Sequence, residues 1–174
     1  MPPVKTTNQH SRVFLGFGGN IENPLTHFRW ARKHLSAQQR IELVACAPLY
    51  RTPPLGGPDG QPDFLNTALE IRTDLPARDL LKLGQELEYL AGRDQPLHWG
   101  PRPLDIDLLL FADLVSSEPE LTLPHPRMHQ RHFVLLPLCD LDESVVHPRL
   151  KQTCGALLRQ LPSAPGISKL QITW

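Results

Sequence analysis

The chain has 174 residues, with 18 acidic and 18 basic side chains, and 19 of its residues are prolines. A chain of this length can bury a core of its own as one domain, and a content of 40% hydrophobic residues excludes a disordered chain despite the prolines. The zero net charge argues against a broad nucleic-acid-binding surface, because such surfaces are usually strongly basic.

Apolar periodicity and turn residues divide the chain into strands and helices. Asn23, followed by Pro24, predicts the N-cap of the first helix, and Gly92 predicts the end of the second. In chain order, we predict a strand at 13–18, a helix at 24–35, strands at 41–49 and 64–71, a helix at 76–91, a strand at 103–111, helices at 131–141 and 153–161, and an edge strand at 170–174. The apolar face of the second helix consists of Leu80, Leu83, Leu87 and Leu90.

The order of these elements predicts the fold class. The succession β-α-β-β-α-β is typical of an α+β fold with a ferredoxin-like core, in which helices pack on a mainly antiparallel sheet to give three α-β-α layers. Neither an internal repeat nor a linker divides the chain. We therefore expect a disordered tail over residues 1–11 and a single domain over residues 12–174.

Apolar runs and cysteines indicate the cellular setting. The longest apolar run, at 108–111, is far shorter than the roughly 20 residues that cross a bilayer, and the N-terminus lacks the apolar centre of a signal peptide. Cys46, Cys139 and Cys154 form no Cys-x-x-Cys pair, so neither a disulfide framework nor a thiolate zinc site is indicated. We expect a cytoplasmic protein that contacts neither membrane nor nucleic acid.

The segment at 99–108 carries the strongest chemical signal. Residues two apart on a strand share a face, so Asp105 and Asp107 point their carboxylates the same way. Like charges held this closely need a cation between them. Mg²⁺ fits, because it binds one or two carboxylates together with water and phosphate oxygens. Arginines on an exposed strand face would also fit, and the pair alone leaves both alternatives open.

Two arginines near the carboxylate pair favour phosphate chemistry. Arg93 and Arg102 flank the segment, and guanidinium groups bind phosphate oxygens in bidentate fashion. Carboxylates combined with arginines on loops suit phosphoryl transfer, which depends on positioning and charge neutralisation. The sequence contains no P-loop motif, and Gly16-x-Gly18-Gly19 is an incomplete dinucleotide fingerprint, so neither a P-loop nor a Rossmann nucleotide site is expected.

Five segments, in this order, resemble the 6-hydroxymethyl-7,8-dihydropterin pyrophosphokinase family of folate biosynthesis: RTPPLG at 51–56, DFLN at 63–66, GR at 92–93, WGPRPLDIDL at 99–108 and LTLPHP at 121–126. The resemblance extends over residues 12–145. It implies a monomeric enzyme that transfers pyrophosphate from ATP to the hydroxymethyl oxygen of the pterin, giving pterin diphosphate and AMP, with two Mg²⁺ ions. Its partners would be small molecules only.

The resemblance also implies roles for individual residues. The catalytic residues would be Arg93, Arg102, Asp105 and Asp107, and both aspartates would be metal ligands. The ATP-binding residues would be Gln85, Glu88, Leu108, Thr122, His125 and Arg131. The pterin-binding residues would be Thr52, Pro54, Leu55, Phe64, Asn66, Trp99 and Phe133. The residues themselves also allow simpler interpretations: core packing for the two phenylalanines, and a solvated helix face for Gln85 and Glu88.

The chain departs from the family pattern at a few positions. Gly19 stands where the family usually has serine, Gln95 where some members carry an arginine, and Glu120 where a basic residue is common. Arg127 and His98 are candidates to supply the missing positive charge. Two other functions stay open. One is a catalytically weak pterin- or nucleotide-binding module, which the departures at Gln95 and Glu120 allow, and the other is a dimetal phosphohydrolase that uses the same aspartates with water as its nucleophile.

Overall fold

A computed structural model describes residues 10–93 and 100–174. Its strands are β1 (Ser11–Gly19), β2 (Ile41–Cys46), β3 (Tyr50–Thr52), β4 (Phe64–Thr73), β5 (Asp105–Phe111), β6 (Ser116–Glu118), β7 (Leu121–Leu123) and β8 (Ser168–Lys169). Its helices are α1 (Pro24–Ser36), α2 (Ala77–Leu90), α3 (His132–Asp142) and α4 (Cys154–Gln160), with one 3₁₀ turn at Met128–Gln130. Within these ranges, no helix combines the length and apolar character needed to cross a membrane.

The main sheet is antiparallel throughout its six strands. Its order is β5-β1-β4-β3-β8, and β2 also pairs with β4. β1 and β4 pair along the full length of β1, with Ser11 opposite Thr73 and Gly19 opposite Leu65. β6 and β7 form a separate hairpin. The predicted α+β class and antiparallel sheet are confirmed.

Helices cover both faces of the sheet because β1 alternates its side chains. Val13, Leu15 and Phe17 enter one hydrophobic cluster, whereas Phe14 enters a second cluster on the opposite face. The first cluster takes apolar residues from α1 and α2, and the second takes them from α3 and α4. The three predicted layers are therefore present, and the space over Gly16 and Gly18 opens on the α3 side.

Several predicted details of the elements are wrong. The edge strand lies at Ser168–Lys169 rather than at 170–174: Leu170 and Trp174 pack into the first cluster, while residues 171–173 between them are exposed. Asn23 is the N-cap residue of α1 as predicted, but it makes no side-chain capping hydrogen bond, because its φ of 56° is left-handed rather than the extended conformation usual for a capping residue. Leu90, predicted on the apolar face of α2, is 67% exposed, because the last turn of the helix extends beyond the first cluster.

The ends of other elements also differ from their predicted positions. The strand predicted at 41–49 ends at Cys46, and a new strand begins at Tyr50. β1 begins at Ser11, two residues before its predicted start. Most of the tail predicted over residues 1–11 lies outside the described residues.

The last residue of the chain fills the first cluster. Trp174 is 8% exposed, and its ring centroid lies 6.3 Å from that of Phe17 and 6.0 Å from that of Phe28. Its indole N–H donates a hydrogen bond of 2.8 Å to the carbonyl oxygen of Ala47. The same carbonyl accepts a hydrogen bond from Thr67 Oγ1 at 2.9 Å, so Trp174 helps to hold β4 against the segment that leads into β3.

We expect Trp174→Ala to destabilise the protein by about 3–5 kcal/mol, because it removes a large buried ring from between two aromatic neighbours. Trp174→Phe keeps an aromatic ring but loses the N–H donor and part of the buried volume of the indole, so its cost should be smaller, about 2 kcal/mol. Urea unfolding of the two variants measures both quantities. A cost below about 1 kcal/mol for Trp174→Ala would contradict the packing role.

Candidate active site

The floor of the candidate site consists of two glycines opposite two aspartates. In the pairing of β1 with β5, Gly18 lies opposite Asp105 and Gly16 lies opposite Asp107. Strand periodicity places these four residues on one face of the sheet, while Ile106 points into the first cluster. The glycines carry no side chain, so a cleft opens directly above the two carboxylates.

The cleft encloses about 1120 Å³, including the solvent at its mouth. Six of the predicted residues that line it are charged or titratable: Arg93, Arg102, Asp105, Asp107, His125 and Arg131. Five are neutral: Thr52, Leu55, Phe64, Asn66 and Phe133. The structure therefore brings most of the predicted site residues together, although they come from distant parts of the sequence.

Asp105 is held by two arginines. Its Oδ1 lies 2.6 Å from Nη1 of Arg93, and its Oδ2 lies 3.2 Å from Nη2 of Arg102. The same Nη1 of Arg93 lies 2.7 Å from Oε2 of Glu88. Of the two alternatives that the sequence leaves open, arginine pairing is thus present at Asp105. Asp107 lies 3.8 Å from Nε2 of His125, which is beyond hydrogen-bond distance.

Burial and neighbouring charge shift the pKa values of three side chains. Burial, reinforced by the charge of Asp105, raises the pKa of Asp107 to about 7 and the pKa of Glu88 to about 7. Burial lowers the pKa of His125 to about 4, and the positive charges of Arg131 and Arg127 act in the same direction. At neutral pH the imidazole is therefore uncharged.

The shift at His125 predicts a loss of stability in acid. The unfolded chain takes up a proton near pH 6.5 and the folded chain only near pH 4, so stability is full above about pH 6.5, falls as the pH drops from 6.5 to 4, and loses nothing more to this group below pH 4. Between pH 7 and pH 4, we expect His125→Gln to lose about 2 kcal/mol less unfolding free energy than the wild type. Urea unfolding of both proteins at pH 4 and pH 7 measures the difference, and equal pH dependence in the two would contradict it.

Local backbone geometry positions the two arginines. Gly92 ends α2 with a φ of 96°, a conformation that favours glycine, and the turn directs Arg93 back toward Glu88. Asn20 makes two hydrogen bonds with the main chain of Arg102: its side-chain Oδ1 accepts from the Arg102 N–H at 2.9 Å, and its main-chain N–H donates to the Arg102 carbonyl oxygen at 2.9 Å. Sequence reasoning missed Asn20, although it directly follows the predicted Gly18-Gly19 turn.

The glycine at position 19 is required by a close approach of two segments. A Cβ atom at Gly19 would lie 2.4 Å from the carbonyl oxygen of Pro103. The serine that the family usually carries would therefore collide with the main chain beside Arg102 at this spacing. The departure at Gly19 thus fits the observed packing.

A polar pair and two aromatic rings form the remaining wall. Asn66 Nδ2 donates a hydrogen bond of 2.7 Å to Thr52 Oγ1, and both residues are buried. Phe64 begins β4 and Phe133 lies in α3, where it also packs against the second cluster. The Cζ atom of Arg102 lies 5.4 Å from the centroid of the Phe64 ring. Both residues line the cleft, so this cation–π contact lies within its wall.

A few predicted site residues are placed elsewhere. Gln85 is exposed on α2, Leu108 lies in the first cluster, and Thr122 Oγ1 donates to the carbonyl of Glu118. Pro54 and Glu88 do not line the cleft among the described residues, although Glu88 contacts Arg93. The remaining predicted positions fall outside the described residues, namely Trp99, Gln95 and His98.

Sequence reasoning missed part of the cleft wall. Thr67 and Val134 line it, and so does Arg127, which the sequence suggests only as a substitute charge. Thr67 directly follows Asn66 on β4, and its hydroxyl donates to the Ala47 carbonyl. This hydrogen bond joins residues 20 apart in the chain, and no local sequence pattern predicts it.

Comparison with known families decides the class of the protein. The sequence model of the family "7,8-dihydro-6-hydroxymethylpterin-pyrophosphokinase (HPPK)" matches residues 14–143. The chain belongs to this family. Two relatives named 2-amino-4-hydroxy-6-hydroxymethyldihydropteridine pyrophosphokinase agree: one from Synechocystis is 35% identical, covering 96% of this chain and 89% of the relative, and one from Pseudomonas aeruginosa is 41% identical, covering 91% and 96%.

Longer proteins contain a similar unit. The folic acid synthesis protein fol1 of Schizosaccharomyces pombe is 36% identical over 87% of this chain, which spans only 20% of that protein. The crystal structure of Plasmodium falciparum HPPK-DHPS A437G superimposes with a TM-score of 0.68 at 15% identity. The match covers 90% of this chain and 46% of the Plasmodium chain, so this chain spans a little under half of it. At this identity, the likeness establishes the fold alone.

Family membership settles the class of reaction. The chain is a pyrophosphokinase of the HPPK family, and its reaction is pyrophosphoryl transfer in folate biosynthesis. The binding-module and phosphohydrolase alternatives are not favoured.

Proposed function

We propose that the protein transfers the β,γ-pyrophosphoryl group of ATP to 6-hydroxymethyl-7,8-dihydropterin, releasing AMP, with Mg²⁺ held at Asp105 and Asp107. The observation that carries the proposal is one cleft that joins two kinds of wall. One wall offers aromatic rings and a buried amide, which suit a flat heterocycle with a hydrogen-bonding edge. The other offers carboxylates and arginines, which suit a metal-bound polyphosphate.

The aspartate pair fits Mg²⁺. Asp105 and Asp107 share one face of β5, and burial together with the charge of Asp105 raises the pKa of Asp107, so a divalent cation beside it would favour its charged form. The described residues include no group of three or more His, Cys, Asp and Glu side chains that could hold a metal. Mg²⁺ needs only one or two carboxylates when phosphate oxygens complete its coordination. Bound there, the ion would neutralise charge on the phosphate chain.

The arginines would bind and orient the polyphosphate. Arg127 and Arg131 line the cleft, and burial together with the positive charge of Arg127 lowers the pKa of Arg131. Two guanidinium groups and an uncharged His125 favour an anionic ligand over a cationic one. Arg93 and Arg102, which pair with Asp105 on the opposite side, would neutralise the charge that develops during transfer.

The neutral wall would recognise the pterin. Phe64 and Phe133 offer ring faces for stacking. The hydrogen bond from Asn66 Nδ2 to Thr52 Oγ1 fixes the amide, so that Asn66 Oδ1 can accept from the edge of the pterin.

The test is the release of AMP from MgATP with and without 6-hydroxymethyl-7,8-dihydropterin. We expect AMP and pterin diphosphate in equal amounts, and no AMP when 6-methyl-7,8-dihydropterin replaces the substrate, because that analogue has no hydroxyl acceptor. Equal AMP release without the pterin would indicate hydrolysis, and no AMP under any condition would leave only binding. Either result would refute the proposal.

A further inference from the structure

Glu88 connects three parts of the site although it does not line the cleft. Its Oε1 accepts a hydrogen bond of 2.6 Å from the main-chain N–H of Ile106. Its Oε2 lies 2.7 Å from Nη1 of Arg93, and the same Nη1 lies 2.6 Å from Oδ1 of Asp105. The Glu88 side chain is 12% exposed, so both of its oxygens are engaged by the protein in a largely buried position.

The bond to Ile106 acts on the segment that carries both aspartates. Ile106 lies between Asp105 and Asp107 on β5, which is an edge strand of the sheet. An N–H on the outer side of an edge strand has no neighbouring strand to bind, and Glu88 supplies its acceptor. The helix approaches closely at Gly84, where an added Cβ would lie 3.4 Å from Cγ2 of Ile106. One turn later, Glu88 reaches the strand.

We propose that Glu88 is a positioning residue rather than an ATP contact. One oxygen fixes the main chain between the two aspartates, and therefore the spacing of their carboxylates. The other oxygen holds Arg93 beside Asp105 and gives this guanidinium a second partner when Asp105 binds a metal ion. This inference rests on the proposed function, because it assigns the aspartates to the metal.

Loss of the Glu88 charge is expected to weaken metal binding at Asp105. In the protein without ligands, Arg93 is shared between two carboxylates. Without the Glu88 carboxylate, Arg93 is no longer shared and pairs with Asp105 instead. Its guanidinium then competes with a metal ion for the oxygens of Asp105. Removing a negative charge near the pair weakens cation binding as well. Both effects act in the same direction.

Glu88→Gln and Glu88→Ala separate the two contacts. Glutamine keeps a carbonyl oxygen for the Ile106 N–H and loses the charge that holds Arg93, whereas alanine loses both. Glu86→Gln, at an exposed position on the same helix, is the matched control. Amide hydrogen exchange at Ile106 reports the first contact, and Mn²⁺ titration of the nucleotide-free protein, followed by electron paramagnetic resonance, reports the second.

We expect exchange at Ile106 to stay slow in Glu88→Gln and to accelerate in Glu88→Ala. We expect the Mn²⁺ affinity to fall by about 10- to 100-fold in both variants, and kcat to fall similarly, while KM for ATP at saturating Mg²⁺ changes less than about threefold. Glu86→Gln should match the wild type throughout. Unchanged exchange in Glu88→Ala, or a raised KM for ATP with unchanged Mn²⁺ affinity, would overturn the positioning role.

Failure of the proposed function would look different. A wild-type protein that releases no AMP with the pterin refutes the reaction and leaves the contact between Glu88 and Ile106 to be decided by exchange alone. If the wild type is active and Glu88→Gln matches it in Mn²⁺ affinity and kcat, the role of Glu88 is refuted and the proposed reaction stands.

Discussion

Asp107→Asn is expected to reduce kcat at least about 10³-fold, because loss of a metal ligand removes several kcal/mol of charge stabilisation from the transition state. The same substitution is expected to stabilise the ligand-free protein. The raised pKa of Asp107 means that its charged form is unfavourable in the folded state, because the carboxyl is largely buried and Asp105 lies on the same face of β5. Asparagine keeps the shape of the side chain and removes that charge.

The pH dependence identifies the cause of this stabilisation. The Asp107 carboxyl ionises near pH 3.8 in the unfolded chain and near pH 7 in the folded one, so its penalty is absent below about pH 4 and complete above about pH 7. Because the side chain is 34% exposed, we expect a gain of only about 1 kcal/mol for Asp107→Asn at pH 8, and none at pH 4. Urea unfolding of the two proteins at both pH values gives this difference.

Asp113→Asn is the matched control, because Asp113 is an exposed carboxylate shortly after the end of β5. It should change neither kcat nor the pH dependence of stability. A kcat for Asp107→Asn within about tenfold of the wild type would contradict the metal assignment. A variant that is less stable than the wild type at pH 8 would contradict the charge argument, even if activity were lost.

The spacing of apolar residues along the sequence predicts the fold, because the residues at those positions are the ones that are buried. Val13, Leu15 and Phe17 alternate on β1 as the sequence pattern requires, and Leu80 and Leu87 lie buried on one side of α2. The prediction failed where burial depends on distant parts of the chain. Trp174 has no periodic neighbours in sequence, and its place in the core is fixed by contacts with α1 and with the residue that follows β2.

The candidate site was predictable to a similar extent. The two-residue spacing of Asp105 and Asp107 placed both on one face, and Gly92 marked the turn that directs Arg93. The contacts of Asn20 with Arg102 could not be predicted, because they join residues 82 apart in sequence. The contact of Glu88 with Ile106 depends on how closely α2 approaches β5, which no local pattern encodes.

Arg93→Ala is expected to slow the chemical step by about 10²- to 10³-fold and to change pterin affinity by less than about threefold. Arg93 pairs with Asp105 and Glu88, whereas the wall proposed to bind the pterin is built from Phe64 and Asn66. The guanidinium would therefore act on the moving phosphate charge rather than on the heterocycle. Single-turnover rates and equilibrium titration with the pterin measure the two effects separately.

Arg93→Lys distinguishes charge from shape, because an ammonium keeps the charge and loses the planar fork. We expect it to recover only part of the rate, and Arg72→Ala, at an exposed arginine on β4, to behave as the wild type. An unchanged single-turnover rate in Arg93→Ala would refute its catalytic role.

Stability should change in opposite directions at Arg93 and Asp107. Arg93→Ala leaves the carboxylates of Asp105 and Glu88 without a shared cation in a largely buried place, so it should destabilise the protein. Asp107→Asn removes a charge that the fold already disfavours. If both variants lose activity while one loses stability and the other gains it, loss of folding cannot explain the loss of activity. The same result would show that holding the two aspartates together costs folding free energy, which the bound ligand must offset.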